Sequence, residues 1–398
     1  MDTLIKRAVR TLKDNDRGTH TVPSPRLYPH QWAWDSAFAA IGWVYVDPDR
    51  AVTELESLLR AGWTDGRVPH IRFNPREKDY APGPDQWGNA ESSTITQPPI
   101  WATAAWILLE RGANPDRLRA LIPGIEASHA FFHAQRDPLG LGLVAVVHPW
   151  ESGRDNGPEW DLPMADVTPE DSLPFKRKDL DSVDDPGERP TDLDYRRYMA
   201  LVKGIRDDDF GPGLFAVYDP MMTAILARAE ADLARLADAL GVESEAAARG
   251  ERLREALFER LWDPDAGRFR FLDAPTGRSY APDVLAAYIP LILEPTQQIR
   301  DRLVAGLKAR YATPVPLPST APDSPAFDAH RYWRGPSWVN MNWLLVPALG
   351  GDLADRTLEI VESNGFWEYY HPETGEGLGA DRFTWTAALV LDLLRSRQ

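Results

Sequence analysis

The sequence predicts an all-α fold, and three features of its 398 residues carry that prediction. Apolar residues recur with helical periodicity along most of the chain, the periodic segments come in consecutive pairs with short links, and no strand–helix–strand alternation interrupts them. No unit recurs at a fixed period, which argues against a solenoid. Each hairpin must bury an apolar stripe against its neighbours. Paired helices over a chain this long therefore suit either a closed toroid of helical hairpins or an irregular bundle, and periodicity alone leaves both open.

In chain order, residues 2–14 form a first amphipathic segment with charges interleaved among its apolar positions. Residues 33–46 (AWDSAFAAIGWVYV) and 48–62 (PDRAVTELESLLRAG) form a helix pair, broken at Asp47-Pro48, where proline suits a helix start. Residues 98–111 and 115–135 form the next pair, joined by Gly112-Ala113-Asn114-Pro115. Helices are also expected over 191–206, 219–240, 243–262, 282–293, 295–310, 337–349, 351–363 and 384–396. Three stretches break the pattern: 64–97, 137–190 and 311–336, all rich in Pro, Gly, Asp and aromatics. Loops this long are uncommon in a compact domain unless they are functional or disordered, and the middle one, with VAVVHPWESGRDNGPEWD, is too aromatic for a disordered linker. The reading is of ordered loops covering one face of a single domain spanning 1–398, although length alone would also admit two or three domains.

Composition narrows the function. The net charge of -16, from 44 basic and 60 acidic residues, argues against binding nucleic acid or an anionic membrane surface. With no cysteine there is no disulfide, thiolate metal site or cysteine nucleophile. The eight histidines are scattered, without an HExxH pair, so neither a metal nor any other cofactor is implied. No apolar run approaches a membrane span, the N-terminus lacks a signal core, and no N-x-[ST] sequon occurs, so a cytoplasmic location is expected. Fifteen tryptophans are many for this length; they fill cores, and they also make flat platforms for sugar rings.

Four motifs carry candidate chemistry. In WESGRDNGPEWD, residues 150–161, Glu151, Asp155, Glu159 and Asp161 lie beside Trp150, Gly153 and Trp160. Apolar surroundings would raise one of these carboxyls into a proton donor, while the plainer alternative is a solvated acidic loop. In FWEYYHPETGEGLGADRFTWTAAL, Glu368 stands between Trp367 and two tyrosines, with Glu376 and Arg382 in the turn that follows. HRYWRGPSWVNMNWLL holds Tyr332, Trp333 and Arg334 before Pro336, and core packing would explain it equally well. LYPHQWAWDSAF holds Tyr28, Trp32, Trp34 and Asp35, the last able to cap a helix or grip a hydroxyl.

Taken in order, QWAWDSAFAAIG, WESGRDNGPEW, YWRGPSWVNMN and EYYHPETGEGLGAD-FTWTAAL resemble family 63 of the glycoside hydrolases, with weaker versions in the related trehalases. The resemblance runs from about residue 27 to 390 and implies an (α/α)6 barrel, six helical hairpins in a toroid. Larger members carry an extra N-terminal β domain; this chain starts almost at the barrel and looks like the compact bacterial branch that hydrolyses mannosylglycerate or glucosylglycerate. The family inverts anomeric configuration. By motif position Asp155 would be the general acid and Glu368 the general base, with Glu376 as rival base. Sugar binding would fall to Tyr28, Trp32, Trp34, Asp35, Gln97, Trp150, Gly153 and Trp333. A glycerate leaving group needs a cation, for which Arg189, Arg334 and Arg382 are candidates. Tyr80, Tyr195 and Tyr332 would add hydroxyl contacts.

Rival readings are a trehalase or small α-glucosidase on the same fold, and a sugar-binding protein without catalysis. A helical-barrel terpene cyclase would need Asp-rich metal motifs, and Asp184-Asp185 and Asp207-Asp208-Asp209 lack the spacing. No GxSxG, Walker A or GxGxxG pattern occurs.

Overall fold

Long helices begin where the sequence places polar caps and prolines. The structure, a computed structural model, describes residues 2–77, 80–173, 175–181, 183, 185–208, 213 and 215–395, so Asp184 and Asp209 of the acidic runs lie outside the described residues. The helices are α1 (Asp2–Asn15), α2 (Ala33–Trp43), α3 (Pro48–Arg60), α4 (Pro84–Trp87), α5 (Trp101–Glu110), α6 (Pro115–Gln135), α7 (Asp161–Ala165) and α8 (Asp192–Asp207). They continue as α9 (Pro220–Ala239), α10 (Ala246–Arg260), α11 (Gln297–Arg310), α12 (Val339–Leu349), α13 (Gly351–Asn364) and α14 (Thr384–Arg395). Asp47 caps α3 by accepting from the Arg50 amide, and Asn114 caps α6 by accepting from Asp116 and Arg117, each with proline at the first helical position. Asp219 does the same for α9, and Thr191 with Asp194 forms a reciprocal capping box on α8.

Burial sorts these helices into two sets. Every residue of α2 is buried, as are Thr384 to Leu394 of α14 and most of α5 and α9. Helices apolar all round belong in an interior. By contrast α10, α11 and α13 bury one stripe each, such as Leu253 and Leu257 or Leu303 and Leu307. The buried set packs in a circuit: α2 on α5, α5 on α9, α9 on residues 285–293, these on α12, α12 on α14, and α14 back on α2. Around it α3 covers α2, α6 covers α5, α10 covers α9, α11 covers 285–293, α13 covers α12, and α1 returns to α14. The helices of the circuit approach closely where side chains are small. A Cβ on Gly42 of α2 would lie 2.5 Å from the Cα of Ala388 on α14, so glycine is needed there.

Two expectations are corrected, and the reading of 137–190 as an ordered loop gains detail. Residues 285–293 form a 3-10 helix, not an α-helix. Pro290 removes a backbone donor inside the segment, and the run stays in place because Leu285 to Ile292 are all buried. The loop 137–190 carries local structure, including α7 and 3-10 turns at Pro149–Ser152, Pro158–Trp160, Asp179–Asp181 and Pro186–Glu188. Short strands, which the helical reading omits, form an antiparallel sheet from 145–146, 217–218, 271–273 and 278–280, in that order. Their runs are too short to show a period of two in sequence. No helix among the described residues is long and apolar enough to cross a membrane.

A buried ionic cluster ties α6, α9 and α10 together. Glu230 on α9 lies 2.9 Å from His133 Nε2, 3.2 Å from His129 Nδ1 and 2.7 Å from Arg249 Nε. Hydrogen bonds from these neighbours hold its carboxyl well below the usual range despite burial. Glu230→Gln is expected to cost about 2–4 kcal/mol near neutral pH, because it leaves buried donors facing an uncharged group. A depressed carboxyl stabilises the fold above the unfolded-state pKa and loses that contribution as pH falls. Thermal melts from pH 7 down to pH 3 should show the gap between wild type and variant closing; a gap that is constant with pH counts against this account.

Candidate active site

Chain segments that lead into the N-termini of the buried helices converge on one cavity. Residues 31–32 pair antiparallel with 71–72 just before α2, and 367–370 pair with 377–381 just before α14. The cavity is lined by Tyr28, Trp32, Trp34, Asp35, Tyr80, Gln97, Trp150, Gly153, Asp155, Arg189, Tyr195, Tyr332 and Glu368, all singled out in the sequence. Its wall also includes His70, Lys178, Asp179, Phe383 and Trp385.

Of the four carboxylates in WESGRDNGPEWD, three are held by arginine. Glu151 is buried against Arg136 at 2.7 Å and also accepts from the Thr96 and Val147 amides. Glu159 pairs with Arg154 at 2.8 Å, and Asp161 with Arg334 at 2.7 Å. Asp155 faces the cavity. The turn that carries it is pinned by the Tyr198 hydroxyl, which donates to the Asp155 carbonyl at 2.7 Å. Burial pushes the Asp155 carboxyl up from 3.8 to about 7; Arg189 opposes that shift and the charge of Glu368 adds to it. A carboxyl so placed can carry a proton at neutral pH.

Glu368 sits in the strand Trp367–Tyr370, with the hairpin folded over it. Its Oε1 accepts from the Tyr28 hydroxyl at 2.8 Å, and its Oε2 accepts from the Ala380 amide at 3.1 Å and Arg189 at 3.3 Å. Arg189 also donates to Tyr28 at 2.6 Å, lies 3.8 Å from Asp179 and stacks 4.3 Å over the Tyr332 ring. Gly379 makes this approach possible: a Cβ there would lie 2.6 Å from Glu368 Oε2, and its φ is +71°. Glu376, the rival base, is exposed in the turn and does not line the cavity.

Aromatic rings build the rest of the wall. Trp34 and Asp35 occupy the first turn of α2, where Gln97 accepts from the Trp34 amide at 3.2 Å. That bond uses the Gln97 oxygen. Burial, with the Glu368 charge beside it, pushes the Asp35 carboxyl well above its ordinary value. Gly153, at φ +70°, lies under the Trp34 ring, and a Cβ there would approach Trp34 to 2.4 Å. Tyr28 meets Trp32 edge-on at 5.1 Å.

Three sequence candidates lie elsewhere. Trp333 is a buried support, stacked on Trp338 at 3.7 Å and absent from the lining. Arg334 is engaged with Asp161, as above. Arg382 is exposed beside Asp381 at 3.4 Å and also outside the lining. His70, Lys178 and Asp179 were missed by the sequence reading. Their only sequence signal is membership of loops 64–97 and 137–190; Phe383 and Trp385 stand inside the quoted FTWTAAL motif. Among the described residues no group of three or more His, Asp or Glu side chains could hold a metal ion.

Comparison with known proteins adds four findings. A family described as the mannosylglycerate hydrolase MGH1-like glycoside hydrolase domain matches residues 28–386. A mannosylglycerate hydrolase of Thermus thermophilus is 42% identical across 97% of this chain and 99% of its own. A glucosylglycerate hydrolase of Mycolicibacterium hassiacum is 34% identical across 98% and 97%. The crystal structure of a family 63 mannosylglycerate hydrolase from Thermus thermophilus, in complex with Tris and D-glycerate, aligns with a TM-score of 0.93 at 41% identity, covering 98% and 99% of the two chains.

Proposed function

The chain belongs to the mannosylglycerate hydrolase MGH1-like glycoside hydrolase family, within glycoside hydrolase family 63, and we propose from this that it hydrolyses mannosylglycerate or glucosylglycerate to free sugar and glycerate. The observation that carries the mechanism is the pairing, in one cavity, of a raised carboxyl at Asp155 with a donor-held carboxylate at Glu368. Asp155 protonates the glycosidic oxygen as the bond to the leaving glycerate breaks. Glu368 takes a proton from the attacking water on the opposite face, which inverts the anomeric centre. The two donors on Oε2 and the one from Tyr28 leave a lone pair of Oε1 for that water.

Trp32, Trp34 and Trp150 offer faces for the pyranose, and Asp35 and the amide NH2 of Gln97 its hydroxyl partners. Arg189 is the arginine among the three candidates that reaches the cavity, and it is assigned to the glycerate carboxylate, with Lys178 adding positive charge to the same wall. We read the circuit of buried helices with its outer layer as an (α/α)6 barrel and a single catalytic domain, a reading supported by the circuit's contacts and by the residues that loops 64–97, 137–190 and 311–336 each contribute to the cavity lining.

The test is a hydrolysis panel with mannosylglycerate, glucosylglycerate, trehalose and kojibiose, with the first-released anomer followed by proton NMR. Turnover confined to the glycerate glycosides, releasing the anomer opposite to that of the substrate, is expected, and the better of the two names the sugar. Turnover of trehalose or kojibiose would replace the glycerate assignment of Arg189, and retention of configuration would sink the roles given to the two carboxylates.

A further inference from the structure

His70 is 6% exposed, yet it forms part of the cavity wall. Its backbone is fixed on both sides: its amide donates to the Ile95 carbonyl at 2.7 Å, and its carbonyl accepts from Ala33 at 3.0 Å. These bonds anchor it between the start of α2, which carries Trp34 and Asp35, and the segment that carries Gln97. Its ring lies nearly parallel to Trp150 (15°, centroids 6.2 Å apart) and edge-on to Trp32 (85°, 6.5 Å).

The imidazole holds unused hydrogen-bonding capacity. Its Nδ1 is buried without a partner. Burial, with His148 nearby, pushes its pKa well below 6.5, so the ring is neutral and carries one donor and one acceptor. Buried polar groups in native proteins are nearly always satisfied, and an unpartnered nitrogen on a ring that forms part of a cavity wall points to a ligand that completes the ring's hydrogen bonding. A neutral ring has no preference for an anion, so the glycerate carboxylate is not its natural partner. A hydroxyl both donates and accepts, and so suits either tautomer. The flanking tryptophan faces suit a pyranose ring rather than a linear chain.

We propose that His70 is a specificity-determining residue that reads a ring hydroxyl of the sugar between Trp32 and Trp150. The inference rests on the glycosidase reading above.

Two substitutions of opposite character test it. His70→Phe keeps a flat ring against Trp150 and removes both nitrogens; His70→Gln loses the ring and keeps a donor and an acceptor. Steady-state kinetics on mannosylglycerate and glucosylglycerate are compared with wild type, alongside thermal melts. Calorimetric binding of free mannose and glucose supplies a readout independent of turnover. The Phe variant is expected to lose about 10- to 100-fold in kcat/KM and to bind the free sugar more weakly, with the Gln variant recovering part of both. The reverse order, Phe outperforming Gln, would assign His70 to packing alone and overturn the proposal. So would a Phe variant equal to wild type. Wild-type protein that binds the free sugar but hydrolyses neither glycoside would instead refute the proposed function, with the Phe–Gln order in sugar binding still deciding the case of His70.

Discussion

Asp155→Asn lowers kcat/KM for the glycerate glycoside by an expected 10²–10⁴-fold, roughly the contribution of a positioned general acid, with KM changed far less. Asn keeps the size of the side chain, and the turn stays pinned by Tyr198, so the loss reports the proton. The pH profile gives a second check. The folded pKa is raised from 3.8 to about 7, so the acid form is present below that value and vanishes as pH climbs through it. Wild-type kcat/KM should therefore fall above about pH 7, and the variant's residual rate should lose that limb. Stability should move the other way. Above pH 7 the wild-type fold must ionise a carboxyl in poorly hydrated surroundings, so Asn is expected to be more stable there by about 1–3 kcal/mol, with little gain at pH 4. A variant that raises KM alone, with its alkaline limb intact, would remove Asp155 from the role of acid.

Glu368→Gln is expected to lower kcat by about 10²–10⁴-fold, because an amide cannot accept the proton of the attacking water. The amide oxygen can still take the Ala380 and Arg189 donors, while its NH2 turns to the Tyr28 oxygen, so the hairpin keeps its hydrogen bonds. The electrostatic consequence is separate and measurable. The charge of Glu368 is one of the influences that hold Asp155 high, so removing it should lower the titration of Asp155 below about 7. Difference infrared spectra of the carboxyl band against pH, in wild type and variant, would show that shift. An unmoved Asp155 titration would mean that burial alone sets its pKa, and near-wild-type turnover would send the search for the base elsewhere.

The helices were readable because each depends on local terms. Periodicity, the Asp47-Pro48 and Asn114-Pro115 starts and the apolar runs are properties of neighbours in sequence, and the observed bounds stay close to them. Residues 285–293 were placed correctly as an element but not as a type, since Pro290 tilts a buried apolar run toward 3-10 geometry. The strands of the four-stranded sheet are not legible in sequence because two or three residues carry no period, and 145–146, 217–218 and 271–273 find their partners far away in the chain. Within the candidate site the motifs identified the aromatic wall and both carboxylates. They included Trp333 because a tryptophan supporting a wall and a tryptophan forming it look alike in sequence. They omitted His70 because a single loop histidine has no pattern around it.

By itself the sequence determined the helical class, the order of the helices and most of the motifs that line the cavity, all of which follow from local composition and from spacing along the chain. Tertiary structure alone decided which charges are spent. Arg136, Arg154 and Arg334 neutralise Glu151, Glu159 and Asp161, leaving Asp155 turned toward the cavity. It also separates Glu368 from Glu376, eight residues apart in one hairpin, by burying the first under Tyr28 and Arg189 and leaving the second in the exposed turn. The physical reason is that a carboxyl's pKa and reach depend on distances and desolvation set by partners up to hundreds of positions away, and no local pattern records them.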